Sequence, residues 1–256
     1  GIQVNGSGSA VILTHSLLLG NTAVGGGGGG VLCVSGGLAV LDGCAAAGNT
    51  ASTGGGVYAL PGSAAVIRNS TIAANRVTGS GGGIGAEGAV TITHSTVAGN
   101  IADSDSDGAG DGGGVSRWSG RVWLRHTLLA DNVDVGGEWP DCFIRNDSGP
   151  FASLGYNLAE VTCFAPASGD ISGGDPLLGP RQDNGGPTVG GTYALWTHAL
   201  ERGSPARDAG DPAFAPPPAT DQRGTGFPRV VNGRIDIGAF EALLKVYLPL
   251  ALRAAP

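Results

Sequence analysis

The chain has no methionine, one lysine (Lys245) and few aromatic residues, which make up 5% of its 256 positions. Charged residues reach only 14% and the net charge is -7. An acidic chain without a basic stripe excludes the electrostatic footprint of a nucleic-acid binder. It also lacks the polybasic segment of a protein held to anionic lipid. No apolar run approaches the roughly 20 residues needed to span a bilayer as a helix. None of the four cysteines forms a CxxC pair, which excludes the usual zinc-ribbon spacing. A conventional globular core would use more large aromatics.

Glycine is abundant instead, at 49 residues, alongside 41% hydrophobic residues. The glycines cluster and do not recur every third position, so a collagen helix is excluded. They mark an internal repeat. Segments 28–49, 54–75, 81–100 and 112–132 each open on a glycine triplet and close on asparagine, and segment 1–21 closes the same way. The closing residues are Asn21, Asn49, Asn75, Asn100 and Asn132, spaced by 28, 26, 25 and 32. Aligned on that asparagine, apolar columns emerge. Ten residues earlier stand Val11, Ala39, Ala65, Val90 and Val122, and eight earlier Leu13, Leu41, Ile67, Ile92 and Leu124. Three earlier stand Leu18, Ala46, Ile72, Val97 and Leu129. Alternation with a period of two is the signature of a strand.

No single copy can bury an apolar face, so the copies must stack. The expected fold is all-β, a right-handed parallel β-helix over residues 1–135, with parallel strands about 4.8 Å apart. The asparagine column is expected to form an internal ladder of side-chain amides, coil to coil, and the glycine triplets to supply turns of positive φ. The chain opens in mid-repeat, so further coils are expected upstream.

Beyond Asn132 the pattern changes. Residues 136–241 are turn-rich and are expected to cap the solenoid, whose open end would otherwise recruit other strands. Cys142 and Cys163 suit a disulfide in this piece, and Cys33 with Cys44 a second, as in an oxidising compartment; free buried thiols are the alternative. Residues 242–256 form an apolar and then basic tail, either a last strand or a short attachment segment.

The motifs DPLLGP (175–180), DNGGPT (183–188), GSPARDAGD (203–211), TDQRG (220–224) and DIGAFE (236–241) carry a resemblance. In combination they resemble the choice-of-anchor Q module, found at the C-terminus of bacterial surface proteins with pectin-lyase-like β-helix repeats. The likeness runs from about Cys142 to Glu241. Two departures stand out: Arg207 replaces an aliphatic residue, and 189–196 looks like an insertion. The resemblance implies an extracellular or cell-surface location, and no particular reaction.

The residues themselves offer few catalytic candidates. A β-elimination needs a base and a neutraliser for the substrate carboxylate, and a hydrolase needs paired carboxylates; neither set is evident. His15, His94 and His126 share one register, six residues before the asparagine, with Gly43 and Asn69 in the same column. A register position is structural, so no catalytic residue is assigned. Asp103, Asp105 and Asp107, with Gly108, match the opening of a calcium loop that Asp111 extends, although position twelve is Gly114 and not glutamate. Trp118, Trp123 and Tyr58 are candidates for stacking on a glycan. The expected function is a structural or adhesive surface solenoid, with a polysaccharide or surface glycan as partner and calcium as the one candidate cofactor. The alternatives are a carbohydrate-binding module and a polysaccharide lyase or hydrolase.

Overall fold

The computed structural model describes residues 1–145 and 150–243, so the tail segment from 244 onward lies outside the described residues. The chain is an all-β solenoid whose strands stack in parallel, coil on coil. One sheet holds Ile2–Asn5, Val31–Val34, Val57–Ala59, Ile84–Ala86, Val115–Arg117 and Cys142–Ile144. A second holds Ala10–Thr14, Leu38–Asp42, Ala64–Arg68, Ala89–Thr93, Arg121–Arg125 and Phe151–Ser153. A third holds Leu17–Leu19, Ala45–Ala47, Thr71–Ala73, Thr96–Ala98, Leu128–Ala130, Leu158–Ala159 and Ile171–Ser172. A short fourth sheet follows the asparagine corner, with Thr50–Ala51, Arg76–Val77, Ile101–Ala102 and Val133–Asp134. The coils continue past residue 135, since Cys142–Ile144, Phe151–Ser153 and Leu158–Ala159 form a sixth turn.

The aligned columns are the core. Ala39 pairs with Ala65 and Leu41 with Ile67, then Val90 with Val122 and Ile92 with Leu124, all with closed side-chain packing. Unequal repeat lengths leave this register intact because the extra residues fall at the corners.

Each buried asparagine of the row donates both Nδ2 hydrogens. Asn49 Nδ2 donates to Asn75 Oδ1 (2.9 Å) and to the Leu18 carbonyl (3.0 Å), and Asn49 N donates to the same Oδ1 (3.0 Å). Asn75 repeats the pattern onto Asn100 and Ala46, and Asn100 onto Asn132 and Ile72. The row ends where Asn132 Nδ2 donates to the Asp141 carboxylate (2.9 Å). Only the first glycine of each triplet has positive φ, as at Gly54 (+59°) and Gly81 (+69°). The other two answer a different need, close approach of backbones. A Cβ on Gly56 would lie 2.8 Å from the Gly83 carbonyl and 2.7 Å from Ile72 Cγ2.

A second ladder runs five residues before the asparagines, through Ser16, Cys44, Ser70, Ser95 and Thr127. Cys44 N donates to Ser70 Oγ (2.9 Å), Ser70 N to Ser95 Oγ (3.2 Å), and Ser16 N to Cys44 Sγ (3.4 Å). The Cys33–Cys44 bridge is therefore corrected: both thiols are free and buried. Cys33 sits in the first sheet facing the core, and Cys44 takes a serine's place in the ladder. Burial pushes the Cys33 thiol up to about 11 and raises that of Cys44. Cys44→Ser should accordingly leave stability within about 1 kcal/mol, and both thiols should stay unreactive to a thiol reagent until the protein is denatured. A loss of several kcal/mol in urea titration would refute the ladder assignment. Cys142 and Cys163 are bonded, as one of the two sequence alternatives had it.

The end of the stack and the C-terminal module are separate devices. Phe164 stacks on Phe151 (centroids 5.8 Å apart) and closes the core. Residues 173–243 run along the outer face of the third sheet instead of sitting only on the end. Leu128, Ala130 and Leu158 point outward there and pack with Leu200, Ala206, Ile237 and Phe240. Polar clamps reach further back: Gln222 Nε2 donates to the Cys44 carbonyl (3.2 Å), Asn69 Nδ2 to the Thr220 carbonyl (3.1 Å), and Ala239 N to Thr96 Oγ1 (3.0 Å). The TDQRG and DIGAFE residues hold the module together. Arg223 grips Asp221 through Nε (3.0 Å) and a terminal nitrogen (2.6 Å), while Asp221 also accepts from Glu241 N (2.8 Å).

Candidate binding site

The second sheet offers an open outer face of six strands. Its outward residues include Ile12, Val40, Val66, Thr91, Trp123 and Ala152 in one row, with Asp42, Arg68, Thr93 and Arg125 beside it. Asp42 is the one carboxylate on these strands, and it is tied to Arg68 at 2.9 Å. A proton-transfer pair of carboxylates is thus not assembled on this face among the described residues.

The three aromatic candidates are dispersed. Trp123 lies outward on the second sheet, while Tyr58 lies outward on the first. The Tyr58 ring rests against Gly27 and Gly85, and its hydroxyl donates to Glu87. Burial and that carboxylate push its phenol above the ordinary value. Trp118 follows the first sheet's fifth strand, with the Arg145 guanidinium 3.9 Å over its ring. These rings belong to two sheets and do not form a common platform.

The Asp103–Asp111 corner is partly assembled. Asp103, Asp105 and Asp107 each place an oxygen within 4.8 Å of the others, and Asp111 falls outside that group. The buried Asp103 carboxylate already accepts from Gly108 N (3.2 Å), and Asp107 from Ala109 N (2.9 Å). Partial burial and the charges of Asp134, Glu138 and Asp103 raise the Asp111 carboxyl.

The histidine column is a bend. His15, His94 and His126 have φ of 42°, 49° and 50°, and Gly43 and Asn69 take the same left-handed conformation. His94 and His126 are buried under the C-terminal module, with rings 4.6 Å apart and Phe214 edge-on to both. His126 Nε2 accepts from Asp211 N (3.2 Å), which fixes the ring as neutral with its proton on Nδ1. Burial, then the cations Arg229 and Arg125, hold His94 down to about 2 and His126 to about 4.

The aromatic site that sequence reasoning missed lies in the insertion. Thr188–Val189 and Tyr193–Ala194 pair as an antiparallel hairpin. It sets Tyr193 and Trp196, 60% and 43% exposed, beside Leu17 and Leu19 of the first coil. The Arg181 guanidinium stands 5.1 Å from the Trp196 ring. Burial lowers its affinity for a proton, and among the described residues no carboxylate pairs with it. Exposed rings flanked by an unpaired cation suit a polar ligand with an apolar face. The signal was present as two aromatics in a short insertion of an aromatic-poor chain. No family model, curated protein or solved structure matches this chain in the comparisons made with each.

Proposed function

We propose that the protein is an extracellular or cell-surface adhesive solenoid that binds a saccharide without turning it over. The hairpin cleft of Arg181, Tyr193 and Trp196 carries this reading. Two exposed rings stack on the apolar faces of sugars, and the guanidinium takes hydroxyls or a uronate carboxylate. The Cys142–Cys163 bond supports an oxidising compartment. The likeness of the C-terminal motifs to the choice-of-anchor Q module supports a surface setting. The lyase or hydrolase alternative draws less support, because among the described residues the carboxylates at the second sheet's outer face, Asp42 and Asp211, are each already held by an arginine.

The test is a panel of pectins, alginate and neutral glycans, scored for co-sedimentation and for released products. Binding without product is expected, with affinity about tenfold weaker in Trp196→Ala, equivalent to about 1.4 kcal/mol. Protein-dependent product release overturns the reading. Repeating the panel with a chelator reads the Asp103–Asp107 corner: loss of binding there makes calcium part of the adhesive surface.

A further inference from the structure

A cavity of about 840 Å³ lies in the C-terminal module, away from the faces discussed so far. That lies within the range of roughly 300–1,000 Å³ typical of small-molecule pockets. Arg202, Arg207 and Arg223 line it together with Asn184, Phe227 and Phe240; the remaining wall is aliphatic, and no carboxylate side chain lines it.

The three arginines differ in role. Arg223 lies between Phe227 and Phe240, its guanidinium 3.9 Å and 3.8 Å from the two ring centres. Its charge is answered by Asp221, so it is a rigid and compensated part of the floor. Arg202 and Arg207 have no acidic partner among the described residues. The backbone that carries Arg207 is also well anchored. It ends the turn in which Arg207 N donates to the Ser204 carbonyl (3.2 Å), beside the fully buried Ala206. In a chain of net charge -7, two unpaired guanidinium groups at one acid-free cavity run against the composition. Guanidinium matches carboxylate and phosphate oxygens in a planar, bidentate way. The aromatic and aliphatic walls add a requirement for an apolar surface on the same ligand, which a bare inorganic ion cannot meet.

We propose that this cavity binds an organic oxyanion of sugar size, with its carboxylate or phosphate group held by Arg202 and Arg207 and its ring against Phe227 and Phe240. The site is independent of the hairpin cleft.

Calorimetric titration of the full chain tests it, with D-glucuronate, glucose 6-phosphate, inorganic phosphate and D-glucose as probes. Saturable binding of at least one organic anion is expected, at least tenfold tighter than D-glucose and than inorganic phosphate. Binding of glucuronate alone identifies a sugar acid, and of the ester alone a sugar phosphate. Arg202→Gln and Arg207→Gln, made together, should weaken that binding at least tenfold. Arg121→Gln, on the open face of the second sheet, should leave it unchanged. Both variants should keep the parent melting temperature, because none of these side chains forms an ion pair among the described residues. Equal binding of D-glucose, unchanged affinity in the double variant, or no saturable binding of either organic anion would overturn the proposal. Trp196→Ala keeps this binding intact if the two sites are separate, so failure here and failure of the adhesive reading are read independently.

Discussion

Asn75→Leu is expected to destabilise the protein by roughly 4 kcal/mol or more, a large part of a typical domain's stability. Asn75 is fully buried. Its loss strands the Asn49 amide nitrogen, one Asn49 Nδ2 hydrogen and the Ala46 carbonyl. Each stranded buried group costs about 1–3 kcal/mol. Leucine is no remedy by size either, since Gly55 and Gly56 press against this position. Asn21→Leu provides the contrast. Asn21 is half-buried, so water replaces the missing partners and the loss should stay near 1 kcal/mol. Urea denaturation midpoints check both. Equal, small losses at the two positions would mean that the row of amides contributes nothing beyond ordinary surface polarity.

Stability should also fall steeply in mild acid because of the bend histidines. Both have folded-state values below the unfolded 6.5, at about 4 for His126 and about 2 for His94. The unfolded chain therefore binds more protons below pH 6.5, and stability is lost as pH falls from there. For His126 the loss is nearly complete at pH 4 and amounts to roughly 3 kcal/mol; for His94 it continues lower. Glu241 acts in the opposite sense. Burial first, and then the Asp236 charge, raise it to about 9, so its contribution is full below 4.5 and declines as pH rises toward 9. The variant His126→Asn isolates the histidine, because Asn69 already occupies the same left-handed position two coils earlier. Melting temperatures measured from pH 7 to pH 4 should drop less in the variant than in the parent. Parallel profiles would show that His126 is protonated without penalty.

The solenoid was legible because its signal is periodic: Leu41, Ile67, Ile92 and Leu124 recur with the asparagine and need no long-range information. The hydroxyl ladder was equally periodic but chemically mixed. Ser16, Ser70, Ser95 and Thr127 were hidden by Cys44, whose sulfur invited a disulfide reading. The row Ala47, Ala73, Ala98 and Ala130 looks like plain spacing until Phe240 and its neighbours are seen to pack on Ala130 at the outer side of the third sheet. The module's position was not legible at all. Gln222 meets Thr71 across 151 residues of sequence, and no local pattern encodes such a meeting. The motif carboxylates and arginines of 221–241, which drew attention as a signature, turn out to be the module's internal fastening. The hairpin and the arginine cavity arise only from that folding.

The asparagine row also gives the solenoid a direction. Every Oδ1 faces the preceding coil and every donating Nδ2 the following one, so the amide dipoles add head to tail from Asn21 to Asn132. Aligned dipoles polarise one another, and the negative end of such a series is best met by a donor and its positive end by an anion. The donating end meets the Asp141 carboxylate, which cannot pass a hydrogen bond onward as an amide would. Asp141 is thus a stop signal written in charge: it satisfies the last donor and ends the propagation of rungs, independent of any cap laid over the sheet edges.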